Sequence, residues 1–138
     1  MPTWAVHEQW AAKLGLPNEI TRFVNHLSDF PDQCPEFREF CEREGETIVT
    51  PLLKSHEFAT IMKIPKYLQL QFMQRKGSAY VTAWYLHYVL DYIRMAPSLS
   101  ADEVLKRTEE RFGAGEEFDV LRRFVVENIR EIVKDCKA

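Results

Sequence analysis

The chain has 138 residues, 46% of them hydrophobic and 28% charged, with a formal net charge of −3. That length suits one domain, 1–138, burying about two thirds of its unfolded surface, so folding requires neither a disulfide framework nor a structural metal. Composition excludes a disordered, collagenous or cysteine-stapled chain. The longest charge-free stretch, residues 77–90, contains Ser78, Thr82 and His87 and is too short and polar to span a bilayer.

The first residues form neither a basic start nor an apolar signal core, so the expectation is a cytoplasmic protein without a secretion signal. Cys34, Cys41 and Cys136 are an odd number with no Cys-x-x-Cys spacing, as expected of reduced thiols. Charge is unevenly spread. Residues 1–50 hold nine acids against four bases, residues 51–100 two against six, and residues 101–138 ten against eight. The middle third is thus a basic island of +4 in an acidic chain, a distribution that attracts phosphates, nucleic acid or an acidic partner.

Proline and glycine divide the chain into helical pieces, and strand-like alternation is nearly absent. Residues 4–14 read as a first helix closed by Gly15, and residues 17–29 as a second, with Ile20, Phe23, Val24 and Leu27 at helical spacing. After Phe30 and Pro31, Pro35 opens a third piece that continues over 36–44 and stops at Gly45. Thr50 and Pro51 signal a start running to residue 62, and Pro65 opens 66–76, stopped by Gly77. Ser78 caps the long central helix, 79–95. Ser100 with Glu103 forms a capping box for a helix to Phe112, and residues 116–135 close the chain. The expected architecture is an all-α single-domain bundle of about seven helices.

Every histidine falls on a predicted helix and has a carboxylate nearby in sequence. His87 and Asp91 are the sharpest pair. One turn apart on the same face, they can offer an imidazole nitrogen and a carboxylate oxygen to one ion. The helical projection sets them beside Tyr80, Trp84 and Arg94, opposite an aliphatic stripe of Ala83, Leu86, Leu90 and Ile93. His56 shares a stripe with Leu52, Leu53 and Ala59 and is expected to point inward, as is His7 beside Trp4 and Ala11. An inward histidine needs a partner, because an unpaired buried polar group costs about 1–3 kcal/mol. His26, near Phe23 and Phe30, is the remaining candidate. The candidate ligand set is therefore His7, His26, His56, His87 and Asp91, in the manner of bundles whose metal sites converge from several helices.

The order His26, His56-Glu57, Asp91 resembles the His…His-Asp…Asp signature of HD-domain phosphohydrolases, with Glu57 standing where that family has aspartate. The His87-x-x-x-Asp91 run, with Trp4 and His7 upstream, is similar to the zinc-dependent phospholipase C and single-strand nuclease group. That group has further histidines after the aspartate, and this chain has none after His87. Both resemblances imply an all-α divalent-metal-dependent hydrolase of phosphate esters, with zinc, manganese, iron or nickel as the ion. On that reading the metal polarises a phosphoryl oxygen and activates water, and Glu57 takes the water's proton. Lys54, Lys63, Lys66, Arg75 and Lys76 hold the phosphate of a small molecule or nucleic acid.

Two other readings stand beside it. One is a non-catalytic helical interaction or scaffold protein, such as a homodimer, using Tyr85, Tyr88 and Tyr92 as an exposed stripe; the same stripe also reads as core covered by the C-terminal helices. The other is nucleic-acid binding through the basic middle, without a recognised reading motif. No phosphate-cradling glycine loop and no Gly-x-Ser-x-Gly elbow is present.

Overall fold

In the computed structural model, which describes residues 4–137, the chain is all-helical, and the described residues contain no strand. Eight α-helices follow in order: α1 (Trp4–Lys13), α2 (Asn18–Asp29), α3 (Pro35–Leu53), α4 (Phe58–Lys76), α5 (Ser78–Met95), α6 (Ala101–Phe112), α7 (Glu116–Glu127) and α8 (Ile129–Lys137), with a short 3-10 turn at Pro31–Gln33. Among the described residues, no helix is long and apolar enough to cross a membrane.

Helix α5 is the axis of the bundle. It packs against α1, α2, α4, α6, α7 and α8, whereas α3 lies outside, mainly against α4. Every residue from 81 to 91 is buried, as expected of a helix surrounded on all sides. The two-faced α5 suggested by helical projection holds only at its ends: Trp84, His87 and Asp91 on the aromatic-polar side are as buried as the aliphatic stripe, while Tyr80 is half-buried and Arg94 exposed. Tyr85 meets Phe118 of α7 edge-on, and Tyr88 meets Phe112 of α6. The tyrosine stripe is core covered by the C-terminal helices, with only Tyr92 half-buried. Polar ties cross the core where large rings carry a donor: Trp84 donates to Gln69 of α4 at 3.1 Å, and Trp10 to Asp135 of α8 at 3.0 Å.

The capping signals explain most boundaries. Gly15, Gly77 and Gly113 end α1, α4 and α6 with positive φ. The Ser100 hydroxyl accepts from the backbone N–H of Glu103 at 3.1 Å. Four boundaries differ from expectation. Helix α3 runs through Gly45, which is buried; a glycine inside a helix costs only about 1 kcal/mol in propensity and does not by itself end one. Thr50 does not cap a new helix, because its hydroxyl donates back to the Glu46 carbonyl at 2.7 Å, leaving Pro51 in the last turn of α3. Pro65 lies inside α4 rather than opening a helix. The C-terminal helix divides at Asn128, whose side-chain amide bonds the Phe124 carbonyl at 2.9 Å and stops α7.

Candidate metal centre

Three helices meet at a buried polar cluster. Helix α5 presents His87 and Asp91 on one face, α1 brings His7, and α2 brings Asn25 and Asp29, themselves one turn apart. Trp10 and Ala11 on α1, and Val24 and Leu27 on α2, pack into the core and hold these polar residues at its edge. His7 is 2% exposed and His87 3%, so leaving their ring nitrogens without a partner is costly.

The carboxylate of Asp91 is shared between two imidazoles. Its Oδ1 lies 3.0 Å from His7 Nε2 and its Oδ2 3.1 Å from His87 Nε2. Asp29 Oδ1 is 3.3 Å from the same His87 nitrogen, while Trp4 donates its indole N–H to Asp29 Oδ2 at 2.5 Å. The other nitrogen of His87, Nδ1, is 2.8 Å from Asn25 Oδ1. An amide oxygen only accepts, so Nδ1 carries a proton in this arrangement. The Nε2 atom then faces two carboxylates and makes no well-directed hydrogen bond to either. It requires a cation there, either a proton or a metal ion. The rings of His7 and His87 stack 4.1 Å apart and 13° from parallel, so a shared ion requires both to tilt toward it.

Among the described residues, the buried side-chain nitrogens and oxygens without a hydrogen-bond partner are His7 Nδ1, Asn25 Nδ2, Ser28 Oγ and His87 Nε2. All lie on the faces of α1, α2 and α5 that form this cluster or on the adjoining turn of α2. Such atoms are rare in folded proteins and concentrate where a site has a use for them. The charge states follow from surroundings. Burial pulls the His7 pKa below its ordinary value, against the bond to Asp91. Burial also acts to lower that of His87, but Asp29 and Asp91 outweigh it and the net shift is upward. Burial opposes ionisation of Asp91 as well, yet the two imidazoles hold it well below the carboxylate range. The His87 imidazole beside Asp29 lowers its pKa most; burial works against this, and the indole N–H of Trp4 adds a smaller lowering. His7, His87 and Asp91 can each turn one donor atom toward a common point, those atoms lying within 4.8 Å of one another.

A cavity of about 280 Å³ opens onto this cluster, lined by Ser28, Asp29, Lys66, His87 and Asp91 with Trp84, Tyr88, Tyr92 and Met95. Lys66 is the predicted phosphate-binding residue that reaches it. Lys63 donates instead to the Arg111 carbonyl at 3.3 Å. Arg75 pairs with Glu44 at 2.6 Å and Lys76 with Glu36 at 3.0 Å, while Lys54 is exposed.

His56 and Glu57 do not join the cluster. The expected helix through them is replaced by an exposed linker between α3 and α4, so the inward placement of His56 is corrected. His56 has φ +57, and Glu57 accepts from Thr60 at 3.4 Å. His26 is half-buried and packs its ring against Trp4 and Phe30. Asn25 and Asp29 were missed by sequence reasoning, although their one-turn spacing repeats that of His87 and Asp91. Cys34, Cys41 and Cys136 are unpaired thiols, and burial pushes that of Cys136 up to about 12.

Comparisons with protein-family models, with curated proteins and with solved structures find no match.

Proposed function

We propose that His7, His87 and Asp91 bind one divalent transition-metal ion and that the protein uses it to hydrolyse a phosphate ester. The carrying observation is His87 Nε2: deeply buried, aimed between two carboxylates, and without a directed hydrogen bond. Donor atoms in a tetrahedral site with bonds of about 2.0–2.1 Å stand roughly 3.3 Å apart. The imidazole nitrogens of His7 and His87 lie 3.0 and 3.1 Å from the two oxygens of Asp91, and one donor atom from each of the three residues lies within 4.8 Å of the others, so the set closes on one ion after a small shift of the rings. Two imidazoles and a carboxylate suit zinc, iron, manganese or nickel. Asn25 fixes the tautomer of His87, and Trp4 orients Asp29, the outer groups such sites need.

Three protein ligands leave a position for water, whose pKa the ion lowers toward neutrality. Asp29, ionised and only partly covered, is the base for the water's proton. Lys66 lines the same cavity and supplies positive charge to the phosphoryl group. The near-parallel imidazole stack favours a second reading, a metal-free network in which a proton on His87 does the ion's work.

Turnover of an aryl phosphate ester distinguishes the two. The hydrolase reading predicts activity that a chelator abolishes and added metal restores. It also predicts a loss of about tenfold or more in kcat/KM for Lys66→Ala with an unchanged melting temperature. No metal-dependent turnover, or turnover indifferent to Lys66→Ala, contradicts it.

A further inference from the structure

A second, larger cavity of about 730 Å³ lies between the first half of α4 and helix α6, within the size range of small-molecule sites. It shares Tyr88 and Tyr92 with the cavity at the His–Asp cluster but contains none of the cluster's residues. Part of its lining is apolar: Ala59, Ala96, Leu99 and Val104. The two tyrosine rings form its floor.

The rim is cationic. Lys63, Arg107 and Arg111 line it, against the single carboxylate of Glu110. Arg111 is held in place by the Tyr88 hydroxyl at 3.1 Å, and its carbonyl holds the Lys63 amine at 3.3 Å. That bond to Tyr88 occupies one of five guanidinium N–H groups, and others remain for a ligand. Arg107 is exposed and has no ion-pair partner among the described residues. Helices α4 and α6 are not among the extensively packed pairs of the bundle. Pro65 lies inside α4 two residues beyond Lys63 and lacks a backbone N–H, so one rung of that helix is missing beside the cavity. The space thus lies where α4 and α6 pack sparsely, with tyrosine and aliphatic side chains in its lining and positive charge beside them.

We propose that this cleft binds a small organic anion: an apolar or aromatic body lying on Tyr88, Tyr92 and Leu99, with one acidic group held by Arg107 and Arg111. This site stands independently of the metal centre, and the shared tyrosines set its occupant beside that centre.

The test uses the full chain in the presence of chelator, so that its outcome does not depend on metal. The probe is anilinonaphthalene sulfonate, an aromatic body with one sulfonate, followed by fluorescence titration. Phenylnaphthylamine, a similar body without charge, is the control. Saturable binding of one equivalent is expected for the sulfonate, weaker by about tenfold for the neutral analogue. Arg107→Glu is expected to weaken the sulfonate about tenfold and leave the neutral probe unchanged. Ala59→Trp, an exposed position at the cavity wall, fills the space and removes binding of both without lowering the melting temperature. No saturable binding to the wild-type chain overturns the proposal. So does binding that survives Ala59→Trp, or sulfonate affinity that ignores Arg107→Glu.

Discussion

The basic middle of the chain and the polar cluster on α5 differ in how charge is used. Along the sequence, residues 54–76 look like the place where anions bind. In the folded protein Arg75 and Lys76 are spent on Glu44 and Glu36, and Lys63 is tied to a carbonyl. His56 and Glu57 are exposed on a linker. The α5 cluster has far fewer charges, but they are buried and drawn from three helices, with His7 and Asp91 separated by 84 positions. Exposed pairs lie in water, where they contribute little. Buried groups must be compensated, so their arrangement carries the information.

The strongest way to break this contrast is to remove Asp91. Asp91→Ala leaves two buried imidazoles without their common acceptor. It is expected to cost about 3–5 kcal/mol in denaturant unfolding, and to abolish metal binding. If the cost is below about 1 kcal/mol, the cluster is no more important than a surface pair. Asn25→Ala removes only the orienting bond to His87 and is expected to weaken metal affinity about 10–100-fold, read by competition with a chelating dye.

Acidity sharpens the comparison further. In metal-free protein His87 has a raised pKa, so its contribution is fully present below the unfolded value of 6.5 and fades as pH rises through the folded one. His7, with a lowered pKa, works the other way and costs stability as pH falls below 6.5. Asp91 and Asp29 contribute above the ordinary value of 3.8, and that contribution fades as pH falls through their lowered values. A metal ion must displace the proton on His87. Metal affinity is therefore expected to rise by up to about tenfold per pH unit until His87 is neutral, then level off. A pH-independent affinity removes His87 from the ligand set.

Smallest are the changes in the basic region. Arg75→Ala is expected to cost about 0–1 kcal/mol, read by denaturant unfolding. His56→Gly relieves a left-handed backbone and should stabilise by about 1 kcal/mol, with metal stoichiometry unchanged. Loss of metal in His56→Gly would return that residue to the site.

Local chemistry made much of the fold legible. The Ser100 cap and the glycines after α1, α4 and α6 act within a few residues, and their signals survive in the sequence. Pro51, Pro65 and Gly45 misled because helix packing outweighs a single missing rung or an entropic cost of about 1 kcal/mol. The Asn128 break was invisible because it depends on one side chain turning back on its own helix. The same division holds at the site. His87 and Asp91 were readable as neighbours on one turn, whereas their meeting with His7 and Asp29 is a property of how α1 and α2 pack on α5. Of the two polar residues His26 and Asp29 on α2, the histidine was the candidate, yet it is Asp29 that reaches His87.

Calorimetric titration of the metal-free chain with zinc, manganese, iron or nickel tests the central claim most directly. The account predicts one saturable site per chain for at least one of these ions, lost in Asp91→Asn while the variant still unfolds cooperatively. Absence of saturable binding for all of them, or binding unchanged in Asp91→Asn, would contradict it.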